Sequence, residues 1–213
     1  MAAGAMVNDV ATVVRWAEPV ETEVFKMKEI LWTIQHEDAY REFERTGVLR
    51  ANEDYLFCED DLRFAYDWLV KEMRRRIGEP PMGVKYPVWA WYQWEGKRKR
   101  HDLRRSGHAL RGTPLVQIEF EIDTKDFLLS DFDVWHDILA KQYIAYTQEE
   151  WDRFYETHPR PAQADVEHTW DRVFDIHYDG NDWHSTPENR SIQATLWQIE
   201  ISQVKTVQHF LAK

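Results

Sequence analysis

Hydrophobic positions along the chain recur with two different periods, and the alternation of these periods predicts both strands and helices. The apolar run 30–34 is typical of a buried strand, and the segment 36–46 keeps its apolar residues on one helical face. Gly47 follows directly, and glycine is favoured just past the end of a helix. In the segment 61–77 the apolar residues are three to four positions apart, which predicts a second amphipathic helix.

Three further segments have the period of a strand. The aromatic segment 86–94 is apolar at nearly every position, which predicts a strand with both faces covered and therefore a central place in a sheet. The segment 116–122 alternates strictly, so that Glu119 and Glu121 share a polar face that we expect to meet water. The segment 193–201 is the last strand candidate.

Helical patterns return in the second half of the chain. Ser130, followed three residues later by Asp133, resembles a capping box and predicts a helix start. Two shorter helices are predicted at 149–156 and 165–174. The sequence therefore predicts an α+β fold, with a mixed or antiparallel sheet flanked by amphipathic helices.

Length and composition favour one domain in a reducing compartment. The chain of 213 residues suits a single core, which we place at 27–213, with 1–26 set apart as an N-terminal extension. No run approaches the roughly 20 apolar residues that cross a bilayer, so no membrane association is expected. Cys58 has no second cysteine with which to form a disulfide, which suits the cytoplasm.

The chain is acidic as a whole but contains one strongly basic segment. The formal net charge of −11 disfavours wholesale binding of nucleic acid or anionic membrane. The segment Lys97 to Arg105, the basic run, nevertheless carries six lysine or arginine side chains against one acidic residue. It is either a solvated loop or a phosphate-binding segment that follows the aromatic strand.

Acidic clusters give little indication of a metal. The loop that begins at Asp175 has Asp at its first and fifth positions, but Thr186 stands where a calcium loop needs a bidentate glutamate. Asp131, Asp133 and His136 carry suitable ligand atoms, yet a helix start already explains part of this cluster. We expect no metal and keep Asp131 as a site candidate.

Five motifs, most of them rich in aromatic residues, together resemble one bacterial family. They are Leu31-Trp-Thr-Ile-Gln35, Tyr86-Pro-Val-Trp-Ala-Trp-Tyr-Gln93, Asp102-Leu-Arg104, Leu128-Leu-Ser-Asp-Phe-Asp-Val-Trp-His136 and Gln193-Ala-Thr-Leu-Trp197. This family is catalogued as domain of unknown function 3841, and the resemblance runs from about Met27 to the C-terminus. The resemblance implies no activity.

A second resemblance implies a chemistry. A strand ending in a polar residue, an amphipathic helix and then Gly47-Val-Leu49 are similar to the opening of ADP-ribosyltransferase-type domains. Such domains hold NAD against a polar residue of the first strand, and they use an aromatic hydroxyl and a glutamate. The resemblance places Thr33 at the first-strand position, where many of these families have histidine. It leaves two hydroxyl and three carboxylate candidates, namely Tyr92 or Tyr86, and Glu119, Glu121 or Glu200.

Two function hypotheses follow. The first is a nucleotide-binding enzyme resembling NAD-dependent ADP-ribosyltransferases, with an unknown macromolecular or small acceptor. Its expected cofactor-binding residues are Thr33, Gln35, Trp91, Gln93, Arg104 and Asp131, with Arg104 on a phosphate. The alternative is a non-catalytic module that holds RNA or single-stranded DNA on the basic run and its aromatic neighbours. Either chemistry would serve a toxin or a phage-defence component.

Overall fold

A six-stranded antiparallel sheet organises the computed structural model, which describes residues 27–53, 62–180 and 183–213. In chain order the strands are β1 (Lys28–His36), β2 (Val48–Leu49), β3 (Val88–Gln93), β4 (Pro114–Asp123), β5 (Phe127–Asp131), β6 (Ile192–Leu196), β7 (Ile199–Glu200) and β8 (Val204–Leu211). The large sheet has the order β5-β6-β3-β1-β4-β8, and β2 pairs with β7 in a separate ladder. The extension 1–26 and Cys58 lie outside the described residues.

Helices flank this sheet, which confirms the α+β prediction. They are α1 (Glu37–Thr46), α2 (Arg63–Ile77), α3 (Phe132–Leu139), α4 (Gln148–Thr157) and α5 (Gln163–Glu167), with short 3-10 turns at Thr124–Asp126, Trp170–Phe174 and Ile201–Gln203. None of the described helices is long and apolar enough to cross a bilayer.

Helix α1 begins and ends where its sequence indicated. The imidazole of His36 accepts a hydrogen bond from the backbone N–H of Asp38, and acidic residues occupy the first turn, where they suit the positive end of the helix dipole. At the other end Gly47 has φ 78°, and its N–H donates to the carbonyl of Phe43 at 2.8 Å. A residue with a Cβ would be strained in this left-handed conformation.

The pairing register decides which side chains share a face. Residues directly opposite each other in antiparallel strands lie on the same face. On the first face Leu31 lies opposite Phe120, and both side chains are completely buried against α1. On the second face Trp32 lies opposite both Trp91 of β3 and Glu119 of β4.

The second face is covered in two different ways. Over β5, β6 and the start of β3, helices α2 and α3 build a core that includes Leu69, Met73, Ile138 and Trp170, all with 0% exposure. Over β4 and β8 lies the loop 94–113, because the backbone carbonyl of His101 accepts from Gln117 and the ring of His108 contacts Phe210. The predicted wet face of β4 is therefore partly wrong, since Gln117 is only 3% exposed.

Several boundaries differ from the sequence predictions. The cap of α3 is Asp131, whose carboxylate accepts from the N–H groups of Asp133 and Val134, so the predicted capping box at Ser130 is wrong. The segment 165–174 is a short helix followed by a 3-10 turn. The segment 193–201 divides between β6 and β7, and the second of these belongs to the other ladder.

The aromatic strand is central, as predicted, but a bulge alters its end. The register with β6 shifts between Trp91 and Gln93. Strict alternation would put Trp94 on the face opposite Trp91, whereas the two rings are in contact, with 4.8 Å between their centroids. The bulge therefore brings both indoles to the second face, beneath the loop 94–113.

Candidate functional site

A pocket of about 420 Å³ lies between the basic run and the second face of the sheet. Its lining consists of Trp94, Lys99, Arg100, His101, Asp102, Leu103, Arg104, Arg105 and Gln208. Gln208 comes from β8 and lies opposite Gln117 of β4, so the edge of the sheet forms part of the floor. We call this space the basic pocket.

The charge of the basic pocket is positive but partly compensated. Four basic side chains line it against one carboxylate. Arg104 binds that carboxylate with its fork, because Nε and Nη2 each lie 2.8 Å from an oxygen of Asp102, and these hydrogen bonds hold the pKa of Asp102 well below its usual range. Arg105 and Lys99 both approach Glu95, at 2.6 and 3.7 Å.

Two cations of the basic run remain without such compensation. Among the residues that the structure describes, neither Lys97 nor Arg100 has a side-chain hydrogen bond or an ion pair, and both are exposed. Arg100 lines the basic pocket, whereas Lys97 lies outside its lining. Arg100 is therefore better placed to meet an anion than Arg104, whose guanidinium would first have to leave Asp102.

His101 is a buried polar residue at the back of the basic pocket. Its ring is 7% exposed and lies 4.2 Å from Trp94 and 4.7 Å from Trp91, measured between centroids. Burial lowers the pKa of His101 to about 4, aided by the charges of His108 and Arg105, so the ring is neutral at pH 7. Its Nδ1 is buried without a hydrogen-bond partner among the described residues, an arrangement that a bound polar group would satisfy.

Glu119 lies beside the basic pocket on the same face of the sheet. It is two residues from Gln117 along β4, a separation of about 7 Å. The indole Nε1 of Trp32 donates to Glu119 Oε2 at 2.8 Å, which fixes the carboxylate. Glu121, the next residue on this face, is instead held between Lys28 and Lys205 at 3.1 Å each, and their hydrogen bonds lower its pKa.

Thr33 and Gln35 lie away from this face. Thr33 is opposite Ile118 on the first face, it is 2% exposed, and its hydroxyl donates to the carbonyl of Trp89 at 2.8 Å. Gln35 Nε2 donates to the same hydroxyl at 2.7 Å. The structure therefore brings Trp91 and Glu119 together around Trp32, but it does not bring Thr33 or Gln35 into the basic pocket.

At the junction between β1 and β3, which we call the seam, side chains donate hydrogen bonds to backbone carbonyls. The two strands share one register pair, Trp32 with Trp91, and these carbonyls lie on both strands near it. Thr33 satisfies one of them, and the guanidinium of Arg98 donates to the carbonyls of Ile30 and Tyr92. Arg98 also pairs with Glu29 at 2.9 Å, so this part of the basic run holds the seam together.

The remaining hydroxyl, amide and carboxylate candidates lie outside the lining of the basic pocket. The ring of Tyr92 lies under the guanidinium of Arg98, at 3.7 Å. The hydroxyl of Tyr86 donates to Asp67 in the α2 core, where burial raises its pKa. Gln93 Nε2 donates to the carbonyl of Arg190 at 3.0 Å, and Glu200 is exposed on β7.

Asp131 is completely buried in a structural network. One carboxylate oxygen caps α3, and the other lies 2.8 Å from Nε of Arg190, a charge contact without hydrogen-bond geometry. Arg190 is 1% exposed and donates to the carbonyls of Ile176, Tyr178 and Ser185. Burial raises the pKa of Asp131, and this effect outweighs the helix N–H groups and the guanidinium, which oppose it.

Asp133 and His136, the other two candidate metal ligands, have partners within the fold. Asp133 accepts from the hydroxyl of Ser185 at 2.5 Å, and His136 Nδ1 lies 2.8 Å from the carbonyl of Phe132. Within the described ranges, no three His, Cys, Asp or Glu side chains meet in a way that could hold a metal ion. Asp182 of the loop that resembled a calcium site lies outside the described residues.

Sequence reasoning missed several residues of the basic pocket. Arg100 and His101 belong to the basic run, but their roles depend on which of its charges are compensated by acids elsewhere. Strict alternation along the aromatic strand puts Trp94 on the other face, because the bulge is invisible in the sequence. Gln208 belongs to β8, whose two-sided polar pattern gives no strand period.

Comparison with known proteins identifies one relationship. The family model described as domain of unknown function (DUF3841) matches residues 30–162, which include most of β1 and all of α1, β3, the basic run, β4 and α3. No curated protein and no solved structure matches the chain.

Proposed function

Since this chain belongs to the DUF3841 family, we propose from its own geometry that it is a nucleotide-binding enzyme resembling NAD-dependent ADP-ribosyltransferases. The basic pocket holds the phosphates of NAD, and Glu119 faces the ribose. The acceptor is a macromolecule or a small molecule, and a macromolecular acceptor would suit a toxin or a phage-defence component. A cytoplasmic location is part of this proposal, supported by the lone Cys58.

The observation that carries the proposal is the composition of the basic pocket. Cations that bind phosphate lie next to Trp94 and the neutral ring of His101, which offer surfaces for a base or another flat group. The volume of about 420 Å³ is within the range of roughly 300 to 1,000 Å³ that is typical of small-molecule sites. The buried Nδ1 of His101 supplies a polar contact that no described residue satisfies.

The position of Glu119 supports the transferase chemistry. When the bond between nicotinamide and ribose breaks, nicotinamide leaves with the bonding electrons and positive charge develops on the ribose. Glu119 is two residues along β4 from Gln117, which lies opposite the floor residue Gln208, so its carboxylate can stabilise that charge. The indole of Trp32 holds this carboxylate in place. The acceptor then bonds to the ribose carbon and loses its proton. Glu121 is less suitable because two lysines already neutralise it.

The pattern of ion pairs favours one nucleotide over a nucleic acid strand. A strand needs a row of uncompensated cations, since its affinity comes largely from neutralised phosphates. Here four of the six basic side chains of the run pair with Glu29, Glu95 or Asp102. RNA or single-stranded DNA binding remains the alternative, and the experiment below separates the two.

The first experiment measures the melting temperature with NAD, ADP-ribose, ATP, GTP or a short single-stranded oligonucleotide. At a ligand concentration 100 times Kd, binding stabilises the fold by about 2.7 kcal/mol, or roughly 5 to 10 °C for a chain of this size. Arg100→Gln should reduce the shift with NAD and ADP-ribose. Arg111→Gln removes the same charge from an exposed position outside the pocket lining and should not.

The outcomes are distinct. A shift with NAD or ADP-ribose that depends on Arg100 supports the proposal. A shift with the oligonucleotide alone, falling steeply with salt, would replace the nucleotide site by nucleic acid binding. The absence of a shift with any of the nucleotides would refute the proposal.

A second experiment tests the catalytic carboxylate. Glu119→Gln should abolish release of nicotinamide from NAD while the thermal shift with ADP-ribose persists. Glu121→Gln is the matched control on the same strand and face, and it should retain the release. Equal release by the wild type and Glu119→Gln would remove Glu119 from the mechanism.

A further inference from the structure

A second, smaller pocket lies beside α3, away from the basic run. It encloses about 190 Å³ and is walled by the rings of Tyr143, Trp151 and Trp183, with Asp137 and His184 at its polar side. We call this space the aromatic pocket. None of its lining residues belongs to the basic pocket, and its binding role does not depend on the function proposed above.

The aromatic pocket has the charge of a cation site. Its lining contains the carboxylate of Asp137 and neither lysine nor arginine, which disfavours an anionic guest. The guanidinium of Arg172 lies 5.8 Å from the ring of Tyr143, but its charge is compensated by Glu150 at 2.7 Å. His184 Nε2 lies 2.6 Å from Asp137 Oδ2, and the imidazole is 6% exposed, so the carboxylate is held in one orientation. Among the described residues no side chain or backbone group donates a hydrogen bond to the other oxygen, Oδ1.

Two of the rings that form the walls of the aromatic pocket pack against aromatic rings of α4. Tyr143 stacks on Phe154 at 4.0 Å with an interplanar angle of 14°, and Trp151 contacts Tyr155 at 4.2 Å. Trp183 is 44% exposed. Aromatic faces attract cations through their quadrupole, and they also cover the hydrocarbon part of an organic cation.

We propose that the aromatic pocket binds a small alkylammonium group. Asp137 accepts a hydrogen bond from the ammonium, while Tyr143, Trp151 and Trp183 cover its alkyl chain. The volume corresponds to about six water-sized groups, which suits a chain of four carbons and an ammonium. A free amine and a lysine side chain of a partner share this chemistry.

The test compares n-butylammonium with n-butanol and butyrate, which match its length but differ in charge. We expect saturable binding of n-butylammonium, followed by tryptophan fluorescence and calorimetry, and at least tenfold weaker binding of the other two. Asp137→Asn should weaken the binding at least tenfold, as should Trp183→Ala at its exposed position. Asp152→Asn removes a carboxylate from the exposed side of α4 and should leave the binding unchanged.

Further measurements distinguish a lysine side chain from a free amine as the bound group, and they define the results that would overturn the proposal. Binding of Nα-acetyl-lysine methylamide as tight as that of n-butylammonium identifies a lysine side chain as the guest, and binding of n-butylammonium alone identifies a free amine. Equal binding of n-butanol would overturn the proposal, as would full binding by Trp183→Ala together with Asp137→Asn. A preserved melting temperature shows for each variant that the fold is intact.

Discussion

Replacing Asp131 by asparagine should destabilise the fold strongly, although the shape of the side chain is unchanged. The amide oxygen of the introduced side chain can still accept from the N–H groups of Asp133 and Val134, so the cap of α3 is retained. The charge is lost, however, and Arg190 stays buried with 1% exposure. The substitution therefore isolates the electrostatic part of the network.

The size of the effect follows from the surroundings of Arg190. Removing one partner of a buried ion pair costs about 3 to 5 kcal/mol. We expect the lower end, about 3 kcal/mol, for two reasons. Three backbone carbonyls still accept from the guanidinium, at 2.6, 2.7 and 3.1 Å, and burial already disfavours the charged form of Asp131, which offsets part of the loss. Asp131→Ala also removes the cap, which costs roughly 1 kcal/mol more.

Urea denaturation followed by tryptophan fluorescence measures both variants, and thermal unfolding should show a decrease of roughly 6 to 12 °C for Asp131→Asn. Glu42→Gln is the control, because it breaks the exposed pair with Arg45 and should leave the denaturation midpoint unchanged. A loss below about 1 kcal/mol for Asp131→Asn would refute the reasoning, since the charge would then not be needed for folding.

Two further predictions concern His101 and Gly96. The pKa of His101 is depressed to about 4 in the folded protein, so the unfolded chain binds more protons between pH 4 and 6.5 and stability falls on acidification through this window. In urea titrations, the free energy of unfolding of the wild type should fall by about 1 to 2 kcal/mol between pH 7 and pH 5. His101→Gln should remove most of this pH dependence. An equal pH dependence in both proteins would contradict the depressed pKa of His101. At Gly96, with φ 72°, a Cβ would lie 1.7 Å from the backbone oxygen of Glu188, so Gly96→Ala should cost more than about 4 kcal/mol or prevent folding. Gly83→Ala, with φ 81° and open space, should cost about 1 to 2 kcal/mol, and comparable losses for the two variants would show that the close approach is absent.

Most helices and strands could be predicted from the sequence because their signals are local. The periods of α1, α2 and β4 follow from residues within one segment, and the left-handed Gly47 marks a helix end without reference to the rest of the chain. Strand β8 was missed because a bulge against β4 and its exposed edge position leave polar residues on both faces. The cap of α3 was misplaced by one residue, since Ser130 and Asp131 are both good capping residues by type.

The candidate site was predictable only in part. The sequence identified Glu119, Trp91 and the basic run, and the structure places all three on the same face of the sheet. It could not show that Thr33 and Gln35 point to the other face, because that conclusion needs the pairing of β1 with β4. The uncompensated charge of Arg100 depends on where acids from distant segments lie.

The sequence by itself determined the α+β class, most of its elements, the family resemblance and a local excess of positive charge in an acidic chain. These properties depend on composition and on neighbours within a few residues. The tertiary structure decided which carboxylate lies beside the basic pocket, which cations are neutralised and where the aromatic pocket forms. Strand register and ion pairing join residues far apart in the chain, and one residue of register exchanges the two faces of a strand.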